Sequence, residues 1–166
     1  MAKFIWHDGE VKEDLKVRQV YGIIFTDDGR VLLKVETKAR GDVYSFAGGT
    51  PEDFDKDKVA TLKRELLEEV NVTIEDPIMV GYQEVDEENG TSNYAQVRMV
   101  ALIKNIGEVK PDPDNGETYK RLLVSPKRAI ELLNWGEIAR LQLEAATRIA
   151  QQKLGITYFS NNEEYV

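Results

Sequence analysis

The chain has 166 residues, a length that fits one domain with a single hydrophobic core. Hydrophobic residues make up 42% of the chain and charged residues 31%, and this composition excludes a largely disordered protein. The 22 basic and 30 acidic residues give a net charge of −8, which argues against a groove for long DNA or RNA, and the absence of cysteine excludes disulfides and thiolate metal sites.

The amino-terminal segment, residues 1–9, has too short an apolar stretch before its charges to serve as a signal peptide. No apolar run elsewhere approaches about 18 residues, the length that a membrane-spanning helix needs. We therefore expect a cytoplasmic protein without a membrane partner. His7 is the only histidine, and we expect it at the surface rather than in a metal site.

Two extended segments separated by a turn come next. Residues 17–26 are rich in β-branched and aromatic side chains, and the turn sequence at 27–30 separates them from a second such segment at 31–36. This pattern predicts a β-hairpin. Residues 43–46 predict a short strand that ends at Gly48 and Gly49, where the backbone needs conformations that a side chain would oppose.

A loop at residues 50–57 leads into a predicted helix at 58–70. Val59, Leu62, Leu66 and Val70 recur with helical spacing and form one apolar stripe. Asn71 follows the last turn, and we expect it to end the helix in the left-handed conformation.

The second half of the chain again alternates between strands and helices. Strands are predicted at 79–85, 94–106 and 119–124, with a polar turn at 86–90, and helices at 126–135 and 138–154. Strands flanked by helices predict an α/β fold, arranged as an α/β/α sandwich with a mixed β-sheet. We expect residues 1–157 to form a single domain and residues 158–166 to be a loosely ordered tail.

Three acidic residues on the predicted helix at 58–70 are the main candidates for a functional site. Glu65, Glu68 and Glu69 are spaced i, i+3 and i+4, so the helix carries their carboxylates on one face. A bound cation would relieve their mutual repulsion, and carboxylates without histidine or cysteine favour Mg²⁺ or Mn²⁺ over Zn²⁺. Seen alone, the same acids are typical of a solvated helix face. Only the surrounding sequence can distinguish a metal site from such a face.

The segment from Gly49 to Val72 resembles the Nudix box, the signature of the Nudix (MutT-like) hydrolase family. The family pattern is Gly, five residues, Glu, seven residues and then Arg-Glu-apolar-x-Glu-Glu-x-Gly-apolar. The chain matches this pattern at Gly49, Arg64, Glu65, Leu66, Glu68, Glu69 and Val72. The resemblance implies a Nudix-type α/β/α sandwich and a metal-dependent hydrolase.

The match departs from the family pattern at three positions. The interval before Arg64 is one residue longer, and we prefer an insertion that puts Asp55, rather than Lys56, in the role of the first glutamate. In the family that glutamate braces the loop against the helix, so this change bears on rigidity more than on chemistry. Asn71 replaces the last glycine of the box, and Ala47 replaces a proline before the glycine pair.

The resemblance also implies roles for the box residues. Glu65, Glu68 and Glu69, with the backbone carbonyl of Gly49, are expected to bind one or more Mg²⁺ or Mn²⁺ ions, and Arg64 is expected to orient these catalytic glutamates. The ions would neutralise the diphosphate and lower the pKa of a water that attacks phosphorus. One carboxylate must accept the proton of that water, and it is either a box glutamate or an acid on a later loop.

Later loops supply several acids that meet this requirement. They are Asp112, Asp114 and Glu117 before the last predicted strand, and Glu84, Asp86, Glu87 and Glu88 around the hairpin. Glu117 and Asp112 rank first among them as general base or substrate contact, although each also fits a solvated loop acid.

We therefore expect a hydrolase that cleaves a phosphoanhydride bond in a nucleoside diphosphate linked to another group, such as a nucleoside triphosphate, a nucleotide sugar or ADP-ribose. The alternative is a Nudix-fold domain that binds nucleotides or regulates without turnover. A small nucleotide is the expected partner, and the family resemblance is compatible with a homodimer. The loops that set specificity carry no motif that names the substrate.

Overall fold

A computed structural model describes all 166 residues and contains three helices and ten strands. The helices are α1 (Lys58–Val70), α2 (Pro126–Leu133) and α3 (Glu137–Lys153). The strands are β1 (Lys3–Asp8), β2 (Lys16–Phe25), β3 (Val31–Lys38), β4 (Gly41–Ser45), β5 (Ala47–Gly49), β6 (Val72–Ile74), β7 (Ile78–Asp86), β8 (Tyr94–Ile106), β9 (Lys120–Val124) and β10 (Glu164–Tyr165).

The strands form two arms that meet at β2 and β3. One arm has the order β1-β7-β8-β2, in which β2 runs parallel to β8 and the other pairs are antiparallel. The other arm has the antiparallel order β4-β3-β9-β10. The arms share a single residue pair, Phe25 with Val31, because β2 then pairs with β5 instead of β3. The predicted hairpin is present, but its strands separate after this pair.

Helices cover both faces of the mixed sheet. On one face α1 packs through Leu62, Leu66 and Val70, which are buried in one hydrophobic cluster. On the opposite face α2 and α3 pack through a second cluster that contains Ala129 and Leu143. Burying each large aliphatic side chain stabilises the fold by about 1.5–3 kcal/mol. The apolar stripe predicted on α1 and the predicted α/β/α sandwich are both confirmed.

Some elements differ from the sequence prediction. The strand predicted at 43–46 is divided into β4 and β5 on either side of Phe46, a buried side chain. Three short strands, β1, β6 and β10, had no clear sequence pattern, because each is fixed by pairing with β7, β8 or β9. None of the three helices is both long enough and apolar enough to cross a bilayer.

Residues 158–166, expected to be a loosely ordered tail, make specific contacts in the structure. β10 pairs with β9, and Nη1 of Arg30 donates to Oε1 of Glu164 at 2.7 Å. Nε of Arg121 donates to the carbonyl oxygen of Val166 at 3.0 Å. These partners lie 134 and 45 residues away along the chain, so the local composition of the tail gave no sign of them.

Candidate active site

The acidic helix α1 has the predicted bounds, and both of its ends are fixed by hydrogen bonds. Oδ1 of Asp57 accepts from the N–H of Ala60 at 2.9 Å and so caps the first turn. Asn71 ends the helix at φ 52° and ψ 51°, and its side-chain amide donates to the carbonyl of Glu108 at 2.9 Å. Asparagine therefore occupies the left-handed position that the box pattern gives to glycine.

Glu65 and Glu69 lie on the buried face of α1 and are 9% and 8% exposed. The carboxyl group of Glu65 lies directly beside Gly49 at the end of β5. A Cβ atom at Gly49 would be 2.4 Å from Cδ of Glu65, so only glycine leaves room for this carboxyl group. The structure thus brings together Gly49 and Glu65, which the sequence places 16 residues apart.

Both carboxylate oxygens of Glu69 have a partner. Oε1 accepts from the backbone N–H of Gly48 at 2.8 Å. Oε2 accepts from Nζ of Lys34 at 2.6 Å, and Lys34 is itself mostly buried. Sequence analysis missed Lys34 because a lone lysine in a strand carries no motif. The only local signal was its position as the one charged residue within the apolar run 31–35.

Arg64 and Asp55 form the link between the loop before α1 and the helix. Nε and Nη2 of Arg64 donate to the two carboxylate oxygens of Asp55 at 3.0 and 2.8 Å. Asp55 also accepts from the hydroxyl of Thr61 and from the N–H of Glu52, both at 2.9 Å. These hydrogen bonds hold the pKa of Asp55 well below its usual range, and the bond from Arg64 has the largest effect. This geometry fits the bracing role proposed for Asp55.

The third nitrogen of Arg64 lies between two of the glutamates. Its Nη1 donates to Oε1 of Glu65 at 3.0 Å and to Oε2 of Glu68 at 3.2 Å. Burial raises the pKa of Glu65 to about 7; Arg64 opposes this rise, while the carboxylates of Glu69 and Glu68 add to it. Without a cation, the folded protein therefore disfavours the charged form of Glu65.

The loop before β9 reaches the same helix face. Carboxylate oxygens of Glu68, Asp112 and Asp114 lie within 4.8 Å of one another, and Asp112 is 5% exposed. Burial raises the pKa of Glu68, and the charges of Asp114 and Asp112 raise it further, against the effect of Arg64. Of the two loop acids ranked first from the sequence, the structure thus brings Asp112 to the glutamates.

Glu117 lies elsewhere on that loop and is exposed. Its Oε2 accepts from the hydroxyl of Tyr119 at 3.0 Å, and the ring of Tyr119 lies 4.6 Å from Nζ of Lys34. Glu117 therefore borders the site through Tyr119 rather than by contact with a glutamate of α1.

The acids of the β7–β8 hairpin have partners of their own. Glu84 lies 3.2 Å from Nε2 of His7, Glu87 accepts from the hydroxyl of Tyr94 at 2.6 Å, and Glu88 lies 2.9 Å from Nζ of Lys3. His7 stacks on Tyr82, with ring centroids 4.8 Å apart. None of these contacts involves a glutamate of α1.

A pocket of about 530 Å³ adjoins the carboxylates where β2 and β3 separate. Its aromatic walls include Tyr21, Phe46 and Trp135, and Lys34 lies on its lining. Lys34 links the pocket to the acidic helix, because its ammonium group binds Oε2 of Glu69 at 2.6 Å. A pocket of this size and composition accommodates a small organic ligand.

The chain matches the NUDIX domain family over residues 15–146. No curated protein matches it. Among solved structures, it is similar to the ORF135 protein of E. coli, with 20% identity, 87% of this chain and 98% of that chain covered, and a TM-score of 0.57. It is similar to a NUDIX hydrolase from Nitrosomonas europaea, with 17% identity, coverage of 87% and 93%, and a TM-score of 0.58. A mutant of the Bacillus subtilis pyrophosphohydrolase BsRppH has 16% identity, coverage of 93% of both chains, and a TM-score of 0.67. At these identities the structural likeness establishes the fold.

Proposed function

The chain belongs to the Nudix hydrolase family, and we propose that it uses a divalent metal ion to cleave a phosphoanhydride bond in a nucleoside diphosphate linked to another group. Nucleoside triphosphates, nucleotide sugars and ADP-ribose are the substrate types that this proposal covers. The observation that carries it is the set of contacts that holds the three glutamates of α1: Glu65 lies against Gly49, Glu69 accepts from the N–H of Gly48, and Arg64 binds both Glu65 and Glu68. Glu68 also lies within 4.8 Å of the carboxylates of Asp112 and Asp114.

The side chains of the site fit a hard cation. Within the protein, Oε2 of Glu65 and Oε1 of Glu68 accept no hydrogen bond, and each oxygen of Glu69 accepts one and keeps a free lone pair. We expect these three carboxylates and the Gly49 carbonyl to hold Mg²⁺ or Mn²⁺. When bound, such an ion would neutralise phosphate charge and make a water molecule more acidic.

Two basic side chains position the glutamates in this proposal. Arg64, which family resemblance implies orients the catalytic glutamates, acts as a positioning residue in this proposal. Its Nη1 holds Glu65 and Glu68, while Asp55 anchors Nε and Nη2. Lys34 holds Glu69 and supplies positive charge beside the pocket, where it can attract a phosphate group.

An acid near the attacking water must accept a proton. We propose Asp112 for this role, because its buried carboxylate lies beside Glu68 and is not a member of the box. Glu117 is proposed as an indirect contributor that orients Tyr119 at the edge of the site.

The direct test is chromatographic detection of the nucleoside mono- or diphosphate that hydrolysis forms from a panel of nucleoside triphosphates, nucleotide sugars and ADP-ribose, with Mg²⁺, Mn²⁺ or EDTA. We expect turnover of at least one substrate, its loss in EDTA and a fall of at least about a hundredfold in Glu69→Gln. The matched control is Glu144→Gln, an exposed helical glutamate paired with Arg140, which should keep wild-type turnover. Nucleotide binding without turnover under every condition would instead establish the binding or regulatory alternative.

A homodimer and a cytoplasmic location remain predictions that accompany this function. Light scattering of the purified protein measures the first, and fractionation of the source cells measures the second.

A further inference from the structure

Arg98 on β8 is a buried arginine that has no carboxylate partner. It is 3% exposed, yet its hydrogen bonds go only to Oε1 of Gln142 at 2.8 Å, from Nε, and to the carbonyl of Gln96 at 3.4 Å, from Nη1. Nη2 has no acceptor in the protein. Arg121 is equally buried but donates to three backbone carbonyls at 2.8 to 3.0 Å. The unused donors of Arg98 therefore need a different explanation.

The unused donors belong to a side chain that lines the pocket beside the acidic helix. Burial lowers the pKa of Arg98 to about 10, and Tyr21 opposes this effect. The rings of Tyr21 and Phe46 lie 4.8 and 5.9 Å from its Cζ and offset only part of the cost of burial. An arginine that is costly to bury and has free N–H groups is suited to a ligand that accepts hydrogen bonds.

A chain of glutamines extends the donor character of the pocket. Because a guanidinium only donates, Gln142 must turn its oxygen towards Arg98, and its amide nitrogen then donates to Gln83 at 3.2 Å. Gln83 donates in turn to Gln96 at 2.7 Å, and Gln96 donates to Gln19 at 3.1 Å. Arg98 thus fixes the orientation of the side-chain amides of all these hydrogen-bonded glutamines.

This orientation decides what the pocket offers to a ligand. Each side-chain oxygen of Gln83 and Gln96 accepts one bond from another glutamine and keeps one lone pair, and each amide nitrogen keeps one of its two N–H groups. Both glutamines line the pocket with Arg98. Arg98 and Lys34 only donate, so they shift the balance of the lining towards donors. The polar groups with capacity to spare are therefore mainly donors, which suits a ligand edge made of carbonyl oxygens and ring nitrogens.

We propose that this pocket holds the base of the substrate and that Arg98 selects a 6-oxopurine, guanine or hypoxanthine, over adenine. Nε of Arg98 donates to Gln142 and one N–H of Nη1 makes a long bond to the carbonyl of Gln96. The second N–H of Nη1 and both N–H groups of Nη2 remain, and together they can act as a two-pronged donor. Two parallel N–H groups match O6 and N7 of a 6-oxopurine, whereas adenine presents an amino donor in place of O6. The aromatic walls and the volume of about 530 Å³ fit a planar base.

The proposal rests on the proposed function for its kinetic test. We expect kcat/KM with Mg²⁺ to be at least about tenfold higher for GTP and ITP than for ATP, since a bidentate arginine discriminates bases by about that factor or more. UTP and CTP should also fall below GTP. In Arg98→Lys and Arg98→Met the ratio of GTP to ATP should fall to within about threefold, because neither side chain provides a two-pronged donor.

Two features of the design protect this test from folding defects. A ratio of two substrates is unaffected by the fraction of unfolded protein, and Arg98→Met removes a buried charge, a change that cores often tolerate. Arg121→Lys is the matched control, since it alters an arginine with the same exposure that does not line the pocket. It should keep the wild-type ratio.

Binding of nucleoside monophosphates separates this proposal from the proposed function. By calorimetry we expect GMP and IMP to bind at least about tenfold tighter than AMP in wild type and almost equally in Arg98→Met. That result supports base selection even if no nucleotide is hydrolysed.

Equal or tighter binding of AMP, UMP or CMP overturns the proposal. The proposal is also overturned if wild type binds inorganic phosphate and Arg98→Met does not, because Arg98 would then bind a phosphate group instead of a base. Turnover with an unchanged ratio in both Arg98 variants overturns it while leaving hydrolysis established.

Discussion

Nζ of Lys34 lies 2.6 Å from Oε2 of Glu69, so a buried ion pair joins strand β3 to the acidic helix α1. The ammonium group supplies positive charge to the same carboxylate that we propose as a metal ligand. Lys34 and a metal ion are therefore competitors for the charge of Glu69 as well as neighbours in the site.

Lys34→Met should separate these two effects. We expect the metal-free variant to lose about 3 kcal/mol of unfolding free energy, because removing one partner leaves Glu69 buried and unpaired. We expect Mg²⁺ to bind up to about tenfold tighter, because the competing ammonium is gone. Calorimetry and urea unfolding measure both quantities, with exposed Lys127→Met as control. Weaker Mg²⁺ binding by Lys34→Met would show that the ammonium assists the metal site instead.

Asp55→Asn tests the brace between the loop and α1. The variant removes the carboxylate charge that faces Arg64 and leaves the glutamates as the only charged partners of the guanidinium, beside the carbonyl of Thr50. We expect a loss of about 3 kcal/mol of unfolding free energy and a lower kcat, because Arg64 no longer holds Glu65 and Glu68 in place. Exposed Asp53→Asn is the control. Equal stability of the two variants would remove Asp55 from the bracing role.

Gly49→Ala tests the contact between β5 and Glu65. The added methyl group would lie 2.4 Å from Cδ of Glu65 and must displace the carboxyl group. We expect kcat/KM to fall by about a hundredfold, the usual effect of an ångström-scale misplacement at a reacting centre. Gly41→Ala adds a Cβ with no neighbour within 4 Å, although it strains the backbone at φ 120°. Gly41 has no contact with the acidic helix, so the folded variant should keep normal kcat/KM. Normal kinetics in Gly49→Ala would exclude a catalytic role for this position of Glu65.

The pKa of Glu65 predicts how the stability of the metal-free protein depends on pH. Burial raises this pKa from 4.5 to about 7, so the folded protein holds the proton more tightly than the unfolded chain does. The contribution of Glu65 to stability is therefore fully present below pH 4.5 and is lost as the pH rises through 7. Urea unfolding in EDTA should show wild type losing about 1–3 kcal/mol more than Glu65→Gln between pH 5 and pH 8. Parallel pH curves for the two proteins would contradict this assignment.

Local signals explain which parts of the fold the sequence predicted well. The bounds of α1 and the left-handed Asn71 follow from helical periodicity and end signals within 14 residues. The carboxylate face of this helix follows from the same periodicity. The resemblance to the Nudix box predicted that Gly49 lies next to the glutamates of α1. The contact between Gly49 and Glu65 agrees with this prediction.

Long-range pairing explains what the sequence could not predict. Lys34 meets Glu69 across 35 residues, and Arg98 meets Gln142 across 44. In each case the side chain lies in a strand whose neighbours are decided by the sheet as a whole. The same reason applies to β10, whose two residues form a strand only because β9 offers a free edge.

The separation of β2 from β3 after Phe25 and Val31 has a consequence for how this protein can diverge. Glu65, Glu68 and Glu69 depend on one helix and on the glycine pair of β5. The pocket proposed to hold the base takes most of its lining from other elements, among them β7, β8 and the start of α3. If the proposed roles hold, substitutions in those elements alter which nucleotide is accepted without moving a proposed metal ligand. One reaction chemistry can thereby be retained while selectivity changes by ordinary point mutation.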